Sequence, residues 1–158
     1  MKKITILAFL VFTVAAGYSQ SNKEEVDAVQ ALFGMEKKAV IAELIKMNAK
    51  DSAKFWPIYD QYETERKKLG RERMKLLDQI ADAYQHMTPA KADAVTQKTI
   101  SLGAQTDKLL ATYYTKVKTA TNSSVAFEFY QAEMYLLTEI RGAIMSKIPL
   151  YSEFKLNR

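Results

Sequence analysis

The chain has no cysteine and a single histidine, His86. The absence of cysteine excludes a disulfide framework, a thiolate nucleophile and cysteine-ligated zinc. One histidine excludes multi-histidine metal sites and leaves little basis for serine–histidine chemistry. Five glycines and three prolines are few for 158 residues, and this scarcity disfavours a β-sandwich with many tight turns. The missing residue types point away from an enzyme and from any bound metal or cofactor.

Residues 1–19 have the three parts of a secretory signal peptide. Two lysines at positions 2 and 3 precede an apolar run over residues 4–16, and small residues follow at Gly17 and Ser19. The run is short for a bilayer span, and no cysteine follows it that could carry a lipid. We expect cleavage after Ser19, with cleavage after Gly17 or an uncleaved anchor as alternatives.

Export would leave a mature protein with a smaller positive charge than the full chain. Removal of the two leading lysines lowers the formal net charge from +5 to +3. A small charge outside the cytoplasm argues against nucleic acid as a partner. No later segment has 18 consecutive apolar residues, so no membrane span is expected after cleavage. The expected organisation is a periplasmic protein with a signal peptide at 1–19, one helical domain at 20–150 and a flexible tail at 151–158.

Apolar residues then recur every three or four positions, which predicts an all-α fold. The pattern predicts four long helices, over about residues 21–47, 52–86, 89–118 and 124–147. Gly34 is expected to interrupt the first helix only mildly. Asp51 is expected to cap the second helix, Thr88 the third, and Asn122 or Ser123 the fourth.

The last helix carries an acidic residue within an apolar pattern. The residues expected on its buried stripe are Phe127, Tyr130, Met134, Leu137, Ile140 and Ile144. Glu133 lies among them and is expected to be partly buried. It would pair with Arg141 or with a base from another helix, and a structural ion pair is favoured over a role in proton transfer. No Glu-x-x-His motif is present, so no carboxylate-bridged metal site is predicted.

Six residues of the second helix are the candidate binding residues for a client or partner. They combine three aromatic and three basic side chains: Phe55, Trp56, Tyr59, Arg66, Lys67 and Arg71. Two interpretations stay open. The rings are core residues and the bases form a solvated, locally paired helix face, or the two sets form an exposed surface that attracts and holds unfolded chains.

Several segments resemble a known group of exported bacterial proteins. FWPIY at 55–59, followed by YE at 62–63, resembles the FWPxY…YE segment of small helical proteins related to the Spy/CpxP (LTxxQ) superfamily. MTPAK at 87–91 is similar to the LTxxQ turn, with Met for Leu and Lys for Gln. FYQAE at 129–133 and IPL at 148–150 also resemble segments of this group. A second LTxxQ copy is absent, and the resemblance covers most of residues 40–150.

The resemblance implies four long helices in an elongated antiparallel bundle, often as a homodimer. It also implies ATP-independent chaperoning in the periplasm or a part in the envelope stress response. The leading expectation is therefore a non-enzymatic protein that binds unfolded envelope proteins. The alternative is a regulatory or sensor module that binds the ectodomain of one specific membrane protein.

Overall fold

The computed structural model describes residues 25–29 and 32–146, and the regular structure within these ranges is helical. Residues 25–29 and 32–33 are helical, and they precede four helices and one 3₁₀ turn. The four helices are α1 (Lys37–Leu44), α2 (Ala49–Ala83), α3 (Pro89–Ala120) and α4 (Ser123–Met145), with the 3₁₀ turn at Tyr84–His86 after α2. The predicted all-α class is confirmed. The predicted signal peptide and the predicted tail at 151–158 lie outside the described residues.

The membrane-spanning potential of the described helices is low. None of them combines the length and the apolar character that a bilayer crossing requires.

Side-chain caps explain where the long helices begin. Asn48 caps α2, since its side-chain oxygen accepts a hydrogen bond from the backbone N–H of Asp51 at 2.9 Å. The prediction that Asp51 is the cap was therefore wrong by three residues. Thr88 caps α3, with Pro89 at the first helical position, and Asn122 caps α4. Both of these agree with the sequence patterns, because cap residues satisfy the first free N–H groups of a helix.

Gly34 ends the first helical segment instead of interrupting it mildly. Its backbone has φ of +68°, in the left-handed region that glycine enters without the steric cost of a β-carbon. The next helix, α1, begins only at Lys37. The single long helix predicted over residues 21–47 is therefore divided, because a left-handed residue cannot continue a right-handed helix.

The three long helices pack together, α2 against α3 and α3 against α4, while the short α1 packs against α4. Their shared core is rich in aromatic rings. Phe55, Tyr59 and Tyr62 on α2 follow a four–three spacing that places them on one helix face, and all three are buried. The Phe129 ring of α4 contacts each of these rings, with centroid distances of 5.3–6.4 Å. These ring contacts join α2 to α4.

The buried stripe of α4 differs from the predicted one. Its buried residues are Val125, Ala126, Phe129, Ala132, Glu133, Leu136 and Ile140. Ile140 was predicted correctly, whereas Phe127 and Met134 are exposed by 60% and 42%. Large apolar residues lie on more than one side of this helix, so the 3.6-residue period alone does not select the side that packs. Contact with the rings of α2 selects the side that contains Phe129.

Candidate functional site

A buried ion pair joins α1 to α4. Lys37 Nζ lies 2.6 and 2.8 Å from the two carboxylate oxygens of Glu133, whose side chain is fully buried. The Tyr62 hydroxyl donates to the same carboxylate at 2.8 Å, and the Tyr59 hydroxyl donates at 3.3 Å. Both oxygens of Glu133 therefore have donors. Of the two partners that the sequence left open, the structure selects a base from another helix instead of Arg141.

Further charged residues extend this pair toward the N-terminal segment. Lys37 Nζ lies 2.7 Å from Glu63 Oε1, to which Arg66 Nε also donates at 2.6 Å. The two terminal nitrogens of Arg66 donate to the Glu25 carboxylate. We call these five residues, Glu25, Lys37, Glu63, Arg66 and Glu133, the buried charge cluster. Since each carboxylate already accepts hydrogen bonds from a cation, the geometry favours a structural ion-pair network.

The cluster shifts the pKa values of its members and of the adjacent tyrosines. Burial opposes the ionisation of Glu63, but Lys37 and Arg66 outweigh this effect and lower its pKa to about 2. Burial also opposes the charge of Arg66, yet its acidic neighbours raise its pKa well above the ordinary value. Burial and the nearby Glu133 raise the pKa values of Tyr59 and Tyr62. The folded state therefore favours an ionised Glu63 and neutral tyrosines.

These shifts predict that stability falls at both ends of the pH scale. The pKa of Glu63 is lower in the folded state than the ordinary 4.5. Its contribution is therefore complete above that value and is lost as the pH falls toward 2. A shift of this size corresponds to about 3 kcal/mol of unfolding free energy. At high pH the unfolded chain ionises its tyrosines first, so stability also declines above about pH 10. Urea unfolding at a series of pH values measures both limbs.

Two glutamine variants separate this effect from general acid denaturation. In Glu63→Gln, the loss of unfolding free energy as the pH falls toward 2 should be smaller by about 3 kcal/mol. Glu43→Gln should leave the dependence unchanged, because Glu43 is exposed and pairs only with the exposed Lys46 among the described residues. If the wild type and Glu63→Gln lose the same unfolding free energy at low pH, the lowered pKa of Glu63 is contradicted.

The aromatic candidate residues lie in or beside the core. Phe55 and Tyr59 are buried, and Trp56 is half-buried. The Trp56 indole donates to Ser52 Oγ at 3.0 Å, and Lys38 Nζ lies 5.2 Å from the centre of the indole ring. A partner can therefore reach part of Trp56, but it can reach Phe55 and Tyr59 only if the helices separate.

The basic candidate residues are divided in the same way. Arg66 is 4% exposed and is held by Glu25 and Glu63 in the buried charge cluster. Lys67 is exposed and Arg71 is half-exposed. The structure therefore does not bring the six residues together on one surface, because residues 55, 59, 62 and 66 share the face that packs. The role of the six residues in partner binding stays a prediction.

An exposed apolar surface lies on the outer side of α4. Phe127 and Met134 are two helical turns apart, which places them on the same side of the helix, and Tyr135 lies next to Met134. All three are exposed, by 60%, 42% and 52%. We call this set the α4 apolar surface. The ring of Tyr135 contacts Phe33 edge-on at 6.3 Å, so the surface reaches the segment before α1. Sequence periodicity missed it by assigning Phe127 and Met134 to the core.

A cleft of about 120 Å³ lies between the C-terminal halves of α2 and α4, with α3 along its side. Most of its wall is apolar and comes from Leu69, Met74, Leu77, Leu137, Ile140 and Ile144. Arg73 of α2 and Arg141 of α4 also line it. Neither arginine has a carboxylate within 4.0 Å among the described residues. We call this feature the arginine cleft, and no sequence motif predicted it.

Within the described ranges, no group of three or more histidine, cysteine, aspartate or glutamate side chains is arranged to hold a metal ion. Comparisons of the chain with protein-family models, with curated proteins and with solved structures gave no match.

Proposed function

We propose that this chain is a non-enzymatic binding protein of the Spy/CpxP-like chaperone type, acting on unfolded or unfolding envelope proteins. The observation that carries the proposal is the α4 apolar surface. Folded proteins that act alone seldom leave several large apolar side chains exposed on one side of a helix, and such surfaces mark interaction sites. On this proposal the protein works in the periplasm after loss of residues 1–19, and its fold is related to the elongated helical bundle of that superfamily.

The α4 apolar surface can bind clients of different sequence. Phe127, Met134 and Tyr135 provide two aromatic rings and one flexible thioether, and these groups adapt to different apolar side chains. Leu32 and Met35, exposed by 42% and 39%, lie on either side of Phe33, which contacts Tyr135. The available surface therefore continues beyond α4 and offers more than one place for an unfolded segment to bind.

Charge supports the same mechanism. After loss of residues 1–19, 21 lysines and arginines remain against 18 acidic residues. Lys67 and Lys68 are exposed in the middle of α2. Long-range attraction by a net positive protein accelerates encounter with acidic clients, whereas apolar contact lengthens the lifetime of the complex. The proposed cycle is reversible capture and release without a nucleotide.

Suppression of client aggregation tests this proposal. The purified protein should reduce light scattering by a chemically unfolded client at a stoichiometric ratio. The double variant Phe127→Ser/Met134→Ser should lose at least about half of this protection, because the substitutions remove large apolar groups from the surface that contacts the client. Circular dichroism should show unchanged helicity, since both side chains are exposed.

The matched control is Ile100→Ser. Ile100 is exposed by 60%, as Phe127 is, but it lies on α3. Its replacement should leave the protection within experimental error of the wild type. Equal losses in the two variants would contradict a role for the α4 surface. No protection by the wild type would overturn the chaperone proposal, and recovery of a single ectodomain by cross-linking would favour the regulatory alternative.

A further inference from the structure

The arginine cleft has a different chemistry from the α4 apolar surface. Its wall is apolar, yet its charged residues do not balance. Arg66 is neutralised by Glu63 and Glu25 in the buried charge cluster. Arg73 and Arg141 lie at the same cleft without a carboxylate within 4.0 Å among the described residues. The cleft therefore combines an apolar wall with two cations that have no direct counterion there.

Arg73 is half-buried at the cleft, whereas Arg141 is exposed. Burial lowers the pKa of Arg73, the positive charge of Arg141 lowers it further, and Asp107 opposes these effects. The repulsion between the two like charges therefore costs free energy mainly at the half-buried Arg73. A carboxylate bound between them would remove the repulsion and accept charge-assisted hydrogen bonds, which planar guanidinium groups donate in pairs.

The volume of the cleft limits the apolar part of a ligand. At about 120 Å³, it is slightly smaller than apolar cavities of about 150 Å³ that bind benzene. One aromatic ring or one branched alkyl group of similar size therefore matches the space. A long acyl chain would have to leave most of its length in solvent, which lowers the gain from burial.

We infer that the arginine cleft binds a small amphipathic anion, in which one aromatic or branched-alkyl group is joined by a short linker to a carboxylate. The apolar group lies against Leu77 and Leu137, and the carboxylate is bound by Arg73 and Arg141. This site is separate from the α4 apolar surface, and the inference does not depend on the proposed chaperone function.

Binding of 4-phenylbutyrate by the purified full chain tests the inference, with calorimetry for affinity. Two control probes separate the contributions of the ring and the charge to the affinity. 4-Phenylbutanol keeps the ring without the charge, and butyrate keeps the charge without the ring. We expect phenylbutyrate to bind at least about tenfold more tightly than either control, because charge-assisted hydrogen bonds and ring burial each contribute more than a factor of ten. Increasing salt should weaken only the binding of the anions.

Protein variants locate the site. Arg73→Gln and Arg141→Gln should each weaken phenylbutyrate binding by about fivefold or more, because each removes one cation from the carboxylate. Arg71→Gln is the matched control, since Arg71 lies on α2 two residues from Arg73 but does not line the cleft. Its affinity should stay within about twofold of the wild type, as is usual for charges outside a contact.

Three results would overturn the inference. The first is equal affinity for phenylbutyrate and phenylbutanol, and the second is unchanged affinity in both glutamine variants at the cleft. The third is no saturable binding up to about 10 mM probe, the outcome expected if another part of the chain or a second copy fills the cleft. Loss of aggregation suppression with retained phenylbutyrate binding would count against the chaperone proposal alone.

Discussion

Replacing Glu133 with leucine is expected to lower the free energy of unfolding by about 3–5 kcal/mol, the usual cost of removing one partner of a buried ion pair. Glu133 is fully buried and accepts hydrogen bonds from Lys37 and Tyr62 at 2.6–2.8 Å. Its loss leaves Lys37 with less compensation for burial and leaves the Tyr62 hydroxyl without its acceptor. Urea unfolding followed by circular dichroism measures the change.

The double variant Lys37→Met/Glu133→Leu tests whether the unpaired charge of Lys37 causes the loss of stability. When both charges are replaced by apolar groups of similar size, most of the loss should be recovered, because no buried charge remains unpaired. We expect a coupling free energy of at least about 2 kcal/mol in the double-mutant cycle. Glu128→Leu is the control on the same helix and should change stability by less than about 1 kcal/mol. Additive losses in the cycle would contradict a direct Lys37–Glu133 interaction.

Truncation of Phe129 to alanine should destabilise the fold by about 3–5 kcal/mol, as is typical for a fully buried phenylalanine. Its ring is 0% exposed and contacts the rings of Phe55, Tyr59 and Tyr62. Alanine at this position leaves a cavity where α2 and α4 meet, and the surrounding rings cannot close it fully. The midpoint of urea unfolding should fall accordingly.

Phe127 provides a matched control for this substitution, because it lies two residues earlier on α4 and is 60% exposed. Phe127→Ala should change the unfolding free energy by no more than about 0.5 kcal/mol, while reducing client protection if the proposed function holds. Similar losses of stability in the two alanine variants would mean that α4 packs through the face predicted from the sequence, with Phe127 inside.

The contrast between α2 and α4 explains how far periodicity predicts this fold. Much of α2 is charged, and the four–three spacing of Phe55, Tyr59 and Tyr62 indicates that they share one face without deciding whether it is buried. The structure buries all three. Apolar residues surround more of α4, so several faces satisfy the same period. Burial there depends on which rings of α2 face the helix, and this is a property of the packed structure.

The buried charge cluster shows how far the sequence predicts the contacts of individual residues. The sequence indicated that Glu133 lies within an apolar pattern, and it left open a partner on another helix. Arg66 continues the spacing of the buried residues 55, 59 and 62, and this spacing indicates burial, whereas its neighbours in sequence suggest a basic surface. Nothing local links Lys37 to Glu133, which lies 96 residues away, because their contact requires α1 to pack against α4.

The sequence alone predicts the helical class, the capped starts of α3 and α4 and the lack of any cysteine-based chemistry. These features depend on residue type and short-range spacing, through N–H groups that need caps and apolar side chains that repeat with the helical period. The folded structure is needed to show that Gly34 divides the first helix and that Phe127 and Met134 are exposed. It also brought Arg73 and Arg141 to one cleft. These outcomes depend on which helix faces meet, since burial and charge pairing arise only when distant segments pack together.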